Sequence, residues 1–235
     1  LIAPAMNDKM YQSPATQHAV ETLKQWDNII MLDCAEGELA CGTSGKGRMQ
    51  EVDTIVAAID YALTPKTLAG KHVLITAGPT EECIDPVRYI SNASTGKMGY
   101  ALAKTCLRHG ASVTLVSGPT ALSLSSWQAF ASLRIVPVKS AKEMCAATTN
   151  IFASTDISIL CAAVADFTPT ETAMQKIKKQ PGQTTLTLTL QTTQDIAATL
   201  GQKKSDKQIL VGFALETNNE LANAEHKMQS KNLDM

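Results

Sequence analysis

The sequence lacks several features that would assign it to a class of proteins at once. No apolar run approaches the roughly 20 residues of a membrane-spanning helix, and the first residues do not follow the signal-peptide pattern. The formal net charge is only −1, so no global field favours nucleic acid or an acidic membrane. The six cysteines are scattered without a CxxC pair, which disfavours zinc and a disulfide framework. A cytoplasmic protein without nucleic-acid or membrane partners is expected.

The two ends of the sequence suggest a piece of a longer protein. The chain begins LIAPAMND, without Met and in what we expect to be the middle of a strand. It stops at KNLDM, where an apolar step after a helix is typical of an unfinished strand. Its 235 residues suffice for one large or two small domains.

The periodicity of the apolar residues predicts two regions. Helical patterns at 13–25 and 51–63 enclose a short apolar run and the Gly-rich loop CAEGELACGTSGKGRM. The segment TPKTLAG (64–70) has the composition of a linker, so residues 1–63 and 71–235 are predicted as separate domains. In the second, buried strands alternate with helices, which predicts an α/β fold with a doubly wound, mainly parallel, Rossmann-like sheet. TTLTLTLQ alternates with a period of two and is predicted as a strand.

Polar segments follow the predicted strands, where doubly wound sheets collect ligands. In CAAVADF, the small side chains of Ala162 and Ala163 would let a flat ligand approach the backbone. Asp166 could accept a hydrogen bond from a base or ribose, or hold a metal. The alternative is a packed strand end that Asp166 caps.

Lysines form a second candidate site. QKIKKQ, with Lys176, Lys178 and Lys179, is either a solvated basic turn or a mobile loop that closes over a polyphosphate. Lys227 and Lys231 lie one helical turn apart on the last predicted helix and could face the same ligand.

The stretch ISNASTGKMGY opens a predicted helix but matches neither GxGxxG nor GxxxxGK[ST]. Ser91, Asn92, Ser94 and Thr95 could simply cap the helix, or they could bind an anion at its N-terminus. Gly96 and Gly99 in the first turn each weaken the helix by about 1 kcal/mol relative to Ala. Close approach of the backbone to a ligand would explain that cost.

Several motifs, taken together, resemble one family. GPTEECIDPVRYISNASTGKMG, CAAVADF, KIKK, VGFALETNN and KNLD occur in this order in phosphopantothenoylcysteine synthetases. Residues 1–63 resemble the tail of the flavin-dependent phosphopantothenoylcysteine decarboxylase, a flavodoxin-like domain that precedes the synthetase in bifunctional bacterial enzymes. There APAMN resembles the substrate-binding PxMN motif, and GELACGTSGKGRM resembles the flap that covers the substrate. The resemblance spans essentially the whole chain.

This resemblance implies a ligase of coenzyme A biosynthesis. The carboxylate of 4′-phosphopantothenate attacks the α-phosphorus of CTP to give an acyl-cytidylate and pyrophosphate. The amine of cysteine then displaces CMP. Mg²⁺ would accompany CTP, and no protein residues are assigned as ligands of the metal. FMN would be the cofactor of the decarboxylase part of the full-length protein. A homodimer of the synthetase and a higher homo-oligomer of the whole protein are implied.

The same resemblance implies roles for individual residues. Asn92 would contact the acyl-cytidylate, and Lys176 would act in its conversion. Arg88 of DPVR is our own added candidate for anion binding near the pantothenate phosphate. Ser94, Thr95 and Gly96 are candidate anion ligands from the physics of helix N-termini alone. Where the family's NPDI occurs, this chain reads TQDI. The implied nucleotide-binding residues are Cys161, Ala162, Ala163, Asp166, Lys176, Gln194, Asp195, Ile196, Ala197, Phe213, Lys227 and Lys231.

In the decarboxylase part, Cys41 would be the proton donor and Asn7 would hold the substrate carboxylate. Most of the flavin-binding segment and the base histidine of that family are not found in this sequence. We therefore expect no decarboxylation from these residues alone.

Two other functions remain open from the residues themselves. An NAD(P)-dependent dehydrogenase would need GxGxxG after the first strand and an acidic residue after the second, where GPTEE and VSGPT stand instead. A non-catalytic nucleotide- or flavin-binding module would not need Lys176, Asp166 and Asn92 together.

Overall fold

The structure is a computed structural model that describes residues 1–39, 42, 44–215 and 218–235. The helices in these residues are α1 Asp8–Tyr11, α2 Pro14–Lys24, α3 Val52–Leu63, α4 Lys97–Arg108, α5 Ser125–Gln128, α6 Ala141–Phe152, α7 Ile196–Lys203 and α8 Glu220–Ser230. The strands are β1 Ala35–Glu38, β2 Ser44–Arg48, β3 His72–Ala77, β4 Glu81–Cys83, β5 Tyr89–Ser91, β6 Ser112–Ser117, β7 Leu133–Pro137, β8 Ile157–Leu160, β9 Phe167–Pro169, β10 Leu190–Thr192 and β11 Ile209–Gly212.

The chain forms two compact units. The first comprises Leu1–Gly70, Lys104–Ser112 and Ser123–Leu133, and the second comprises Lys71–Ala103, Val113–Leu122 and Arg134–Met235. Residues 64–70, predicted as a linker, belong to the first unit. The division into a decarboxylase part and a synthetase part stays a prediction.

In the first unit, the Gly-rich stretch expected to be a loop contains an antiparallel hairpin of β1 and β2. Strand β2 runs close to Met6, because a Cβ on Gly47 would lie only 2.3 Å from the Met6 carbonyl oxygen. Ser13 caps α2, and its side chain accepts a hydrogen bond from the Thr16 amide. A small core surrounds Tyr11 and Val20.

The second unit is built on a five-stranded sheet in the order β11-β8-β3-β6-β7. Strand β8 pairs in parallel with both β3 and β11. Residues 73–77 of β3 are all buried, as expected for a central strand that is covered on both faces. The prediction of an α/β fold with a mainly parallel sheet is confirmed.

Helices cover both faces of this sheet. Leu74 of β3 belongs to a core cluster with Met144 and Phe152 of α6 and Leu200 of α7. Alternate residues of a strand point to opposite faces, and Ala77 lies on the face opposite Leu74. A Cβ on Gly99, in the first turns of α4, would lie 2.6 Å from the Ala77 Cβ. The sheet therefore has helices on both faces and is doubly wound.

The prediction of a strand over TTLTLTLQ is largely wrong. Only Leu190–Thr192 forms a strand there, and it pairs antiparallel with Phe167–Pro169, outside the main sheet. Leu186 and Leu190 are 49% and 40% exposed, so the alternating apolar side chains are not buried against a second layer. Period-two alternation specifies a strand only where one face has something to pack against. Among the described residues, no helix has the length and apolarity to span a bilayer.

Candidate functional site

A cavity of about 570 Å³ opens beyond the carboxyl ends of β8 and β11. That volume lies within the range of pockets for small ligands. The predicted site residues that line it are Ala162, Asp166, Gln194, Asp195, Ile196, Ala197, Phe213, Lys227 and Lys231. Residues from four separate stretches of the sequence, predicted to share a nucleotide, therefore lie around one cavity.

The cavity wall includes an ion pair. Lys231 Nζ lies 2.9 Å from Asp195 Oδ2. Asp195 also caps α7, because its Oδ1 accepts a hydrogen bond of 2.9 Å from the Ala198 amide. Burial opposes ionisation of Asp195, but its hydrogen bonds with the Ala198 amide and Lys231 outweigh burial and lower its pKa. Asp195 is therefore a carboxylate at neutral pH and orients Lys231.

Asn92, which follows β5, holds the CAAVADF segment. Its Nδ2 donates to the carbonyl oxygens of Ala163 (3.1 Å) and Val164 (3.0 Å). The side chain that was predicted to contact a reaction intermediate thus also connects two strand-end segments that are distant in sequence.

Three threonines hold the same segment through its other backbone groups. Thr76 Oγ1 accepts a hydrogen bond from the Ala162 amide at 3.1 Å. Thr80 Oγ1 accepts one from the Ala165 amide at 3.0 Å, and Thr193 Oγ1 donates to the Ala165 carbonyl at 2.6 Å. Side-chain hydrogen bonds therefore connect the ends of β3 and β8. They hold the backbone of the segment in place beside the cavity.

Gly96 and Gly99, at the end of SNASTG and in the first turn of α4, approach the protein's own backbone. Gly96 has a φ of 76°, and a Cβ there would lie 3.2 Å from the Gly78 nitrogen. The Gly96 amide donates to Ser94 Oγ at 3.3 Å, and the Thr95 carbonyl accepts from Thr120 Oγ1 at 3.0 Å. Close packing at the start of α4 accounts for Gly96 and Gly99. The anion-binding roles predicted for Ser94, Thr95 and Gly96 stay predictions.

Arg88 has carboxylate and carbonyl partners in this structure. Its Nε donates to Asp85 Oδ2 at 3.0 Å, and its Nη2 donates to the Ile177 carbonyl at 2.8 Å. The hydrogen bonds from Arg88, and others from backbone amides, hold the pKa of Asp85 below its ordinary value although burial opposes ionisation. Arg88, predicted to bind an anion of the substrate, therefore contacts the loop that carries Lys176.

Several predicted residues of the second unit are not among those that line the cavity. Lys176, Lys178 and Lys179 are exposed on a loop without regular structure. Cys161 and Ala163 are partly buried at the end of β8 but are not among the lining residues. Asn7 belongs to the first unit, where its Oδ1 accepts from the Lys9 amide at 2.9 Å. Cys41 lies outside the described residues.

Sequence reasoning missed part of the cavity wall. Several of the missed residues are apolar, and no ligand contact was predicted for their side chains even where their segment was a candidate site. They include Leu160, Val164, Phe167, Leu221, Met228 and Leu233. Glu225 was also missed, because an acidic residue on an exposed helix carries no distinguishing signal. Lys227 and Lys231 were found because their spacing of one turn puts both on one helix face.

The described residues do not form a metal site of their own. Among them, no group of three or more His, Cys, Asp and Glu side chains is arranged to hold a metal ion. Mg²⁺ in nucleotide sites is commonly bound by one or two carboxylates together with phosphate oxygens and water. Asp166, Asp195 and Glu225 are the carboxylates that line the cavity.

Comparison with protein families gives two matches. Residues 68–235 match the model of the DNA/pantothenate metabolism flavoprotein C-terminal domain. Residues 1–64 match the Flavoprotein model.

Comparison with individual proteins finds relatives along the whole chain. It is 48% identical to a protein named cysteine/cysteine sulfinic acid decarboxylase, from an unknown prokaryotic organism, over 100% of this chain and 65% of that protein. It is 47% identical to the coenzyme A biosynthesis bifunctional protein CoaBC of Bacillus subtilis, over 100% of this chain and 56% of that protein. The chain thus spans less than two thirds of the length of these relatives. The crystal structure of the C-terminal domain of a CoaBC protein aligns with a TM-score of 0.60 and 43% identity, over 72% of this chain and 76% of that one.

Proposed function

The chain belongs to the family of the DNA/pantothenate metabolism flavoprotein C-terminal domain, and from that premise we propose that residues 71–235 ligate 4′-phosphopantothenate to cysteine with the use of CTP. The observation that carries the proposal is the cavity at the carboxyl ends of β8 and β11. Nine of the residues implied to bind the nucleotide line it, and its volume of about 570 Å³ suits a ligand of that class.

The charge of the cavity bears on how a triphosphate would be held. Three carboxylates and two lysines line it, so its own formal charge is negative. A triphosphate therefore needs further cations. The exposed lysines of the KIKK loop and the Mg²⁺ that accompanies CTP as its complex are the proposed sources.

The reaction that we propose has two steps. In the first, a carboxylate oxygen of 4′-phosphopantothenate bonds to the α-phosphorus of CTP, and the bond to pyrophosphate breaks. In the second, the amine nitrogen of cysteine bonds to the acyl carbon, the bond from that carbon to CMP breaks, and the amine loses a proton. Asn92 would contact the acyl-cytidylate, and Lys176 would balance negative charge during its conversion.

For the first unit we propose a share in an FMN-dependent decarboxylase, since residues 1–64 match the Flavoprotein model. Asn7 Oδ1 is occupied by the Lys9 amide, and the proposed donor Cys41 lies outside the described residues. We therefore derive no step through the flavin. The roles of Asn7 and Cys41 rest on the resemblance alone.

The test is pyrophosphate release by the full-length protein with 4′-phosphopantothenate, cysteine and either CTP or ATP as the magnesium complex. We expect release with CTP and formation of the amide only when cysteine is present. If no nucleotide yields pyrophosphate, the ligase proposal is wrong. Reduction of NAD(P) by a substrate would favour the dehydrogenase alternative, and nucleotide binding without turnover would favour the binding module. We also propose that the full-length protein is a homo-oligomer larger than a dimer, and sedimentation of the same sample tests this.

A further inference from the structure

The loop that carries Lys176 is attached to the segment around β4 by a row of hydrogen bonds. Thr172 Oγ1 donates to the Cys83 carbonyl at 3.1 Å, and the Ala173 amide donates to the Ile84 carbonyl at 3.0 Å. After Ala173 the loop leaves this segment, and Met174 is 91% exposed. The loop returns to it at Ile177.

The sequence DPVR forms a tight turn that prepares the second attachment. Asp85 Oδ1 accepts hydrogen bonds from the amides of Val87 (2.8 Å) and Arg88 (2.9 Å). Asp side chains commonly close turns in this way, and Pro86 restricts the backbone within it. The turn leaves Asp85 Oδ2 and the Arg88 guanidinium directed at the loop.

Both backbone groups of Ile177 are held by this pair. The Ile177 amide donates to Asp85 Oδ2 at 3.1 Å, and the Ile177 carbonyl accepts from Arg88 Nη2 at 2.8 Å. Arg88 Nε also donates to Asp85 Oδ2, at 3.0 Å. The Asp85 side chain is fully buried and that of Arg88 is 42% exposed. We call this arrangement the Asp85–Arg88 clamp.

We propose that Asp85 and Arg88 are positioning residues that place Lys176 for the reaction by fixing the backbone of its neighbour Ile177. The proposal rests on the proposed ligase function. It adds Asp85 and Arg88 as residues that act on the reaction through the loop. Adjacent Cα atoms are about 3.8 Å apart across a trans peptide, so holding Ile177 also confines the Lys176 Cα. The flexible Lys176 side chain then extends from a fixed backbone position toward the phosphate charge that shifts during the reaction.

The clamp has a physical reason to matter for rate. Lys176 and both of its neighbouring lysines in KIKK are exposed, and they repel one another. Without an attachment point the loop would extend into solvent and would have to be ordered anew in each reaction cycle. An attachment made before the substrate binds removes that entropy cost from the transition state.

The Asp85→Asn variant isolates the clamp. The amide oxygen of Asn can still close the turn on Val87 and Arg88, but its NH₂ group would replace the acceptor Oδ2. It would then face the Arg88 guanidinium and the Ile177 amide, which are both donors. The matched control is Asp156→Asn, because Asp156 also accepts from a backbone amide, that of His72 at 2.8 Å, and pairs with Lys71. Asp156 precedes β8, at the end of the sheet opposite the cavity.

The first measurement is cleavage of the native full-length protein by trypsin, which cuts after lysine. Cleavage of a loop follows the population of its open form. We expect cleavage after Lys176, Lys178 and Lys179 to be at least several-fold faster in Asp85→Asn than in the parent or in Asp156→Asn. An unchanged rate would overturn the proposal. The cleavage rate does not depend on ligase activity. It therefore tests the Asp85–Arg88 clamp separately from the proposed ligase function.

The second measurement is a double-mutant cycle on turnover. Asp85→Asn should lower kcat by about 10- to 100-fold, the range expected when a catalytic group is displaced. The KM for CTP should change little, and the half-reaction that slows should be the one that Lys176→Gln slows. In a Lys176→Gln background, Asp85→Asn should have no further effect. Independent, multiplying effects would overturn the proposal.

If Asp85→Asn does not fold, Arg88→Lys serves in its place. Lysine keeps the charge beside Asp85, but a point charge cannot replace the guanidinium fork that spans Asp85 and Ile177. The same faster cleavage and the same dependence on Lys176 are expected. If Arg88 acted only by binding the substrate phosphate, Arg88→Lys would instead raise the KM for phosphopantothenate and leave cleavage unchanged.

Discussion

Lys231 and Asp195 form an ion pair of 2.9 Å that joins the end of α8 to the start of α7 beside the cavity. A carboxylate at a helix N-terminus and an ammonium at a helix C-terminus both suit the helix dipoles. A bound triphosphate would compete with Asp195 for the same ammonium. The pair therefore links the architecture of the site to the binding of its ligand.

Removing the ammonium should weaken nucleotide binding. We expect Lys231→Met to raise the KM for CTP by about tenfold, which corresponds to about 1.4 kcal/mol. Asp195→Asn, which keeps a capping oxygen on α7 and frees Lys231, should not raise it. Steady-state kinetics with CTP as the varied substrate measures both. If Lys231→Met leaves the KM for CTP unchanged, Lys231 does not contact the phosphates.

The same pair predicts a pH dependence of stability. Because the pKa of Asp195 is lowered on folding, its contribution is present above the unfolded-state pKa of about 4. It is lost as the pH falls from there through the lower pKa of the folded state. Urea unfolding of the parent and of Asp195→Asn should therefore differ at neutral pH and converge in that acid range. The difference will be small because the Asp195 side chain is 47% exposed. A difference that grew on acidification would contradict the assignment.

Lys176→Gln should strongly slow amide formation, with a residual rate that can still be measured, while leaving the protein folded because the residue is exposed. Its charge is proposed to act on the reacting phosphates, so the loss should appear in kcat. Product formation followed by mass spectrometry measures it. Lys207→Gln, an exposed lysine beyond α7, is the control and should retain activity. Full activity in Lys176→Gln would remove this residue from the mechanism.

Asn92→Asp should disturb both the intermediate and the cavity wall. The substitution replaces the donor to the Ala163 and Val164 carbonyls by a carboxylate that repels them. We therefore expect a lower Tm and a higher KM for CTP, in addition to slower turnover. Asn150→Asp, on an exposed position of α6, controls for the added charge. If Asn92 contacts only the intermediate, the Tm and the KM for CTP will not change.

Gly99→Ala should destabilise the second unit. Its Cβ would lie 2.6 Å from the Ala77 Cβ and 3.0 Å from the Thr76 carbonyl oxygen, so α4 would have to move away from β3. Such overpacking costs about 1–3 kcal/mol, which chemical denaturation can measure. Ala101→Ser, two residues further along on an exposed position, should lie within about 0.5 kcal/mol of the parent. An unchanged stability in Gly99→Ala would show that α4 is free to shift.

The sheet was predictable from the sequence because its strands are short apolar runs separated by amphipathic helices. TTLTLTLQ was predicted wrongly because alternating apolar residues show only that one face of a strand could be buried. A strand also needs a neighbouring strand to pair with and a second layer to pack against. Short strands such as β4 and β5 carry too few residues to show a period.

The candidate site was predictable in part. The rule that ligands gather at carboxyl ends of strands led to CAAVADF, and the turn spacing of Lys227 and Lys231 led to the helix that faces it. Most individual roles came from the family resemblance. The partner of Asp85 and Arg88 could not be read from the sequence, because Ile177 is an apolar residue that takes part through its backbone alone. The packing of Gly99 against Ala77 could not be read from the sequence either, because it depends on how closely α4 approaches β3.

The hydrogen bonds around Ala162–Ala165 have a consequence for any attempt to change the nucleotide preference that we propose for this protein. Asn92 and three threonines occupy the amides and carbonyls of that stretch, and its side chains are small. If the base of a nucleotide binds along this wall, its recognition would depend on the position of the backbone. Replacing a single side chain in the stretch would leave the backbone in the same position. A different nucleotide preference would require a different backbone path, which means first replacing the residues whose side chains hydrogen-bond to this backbone.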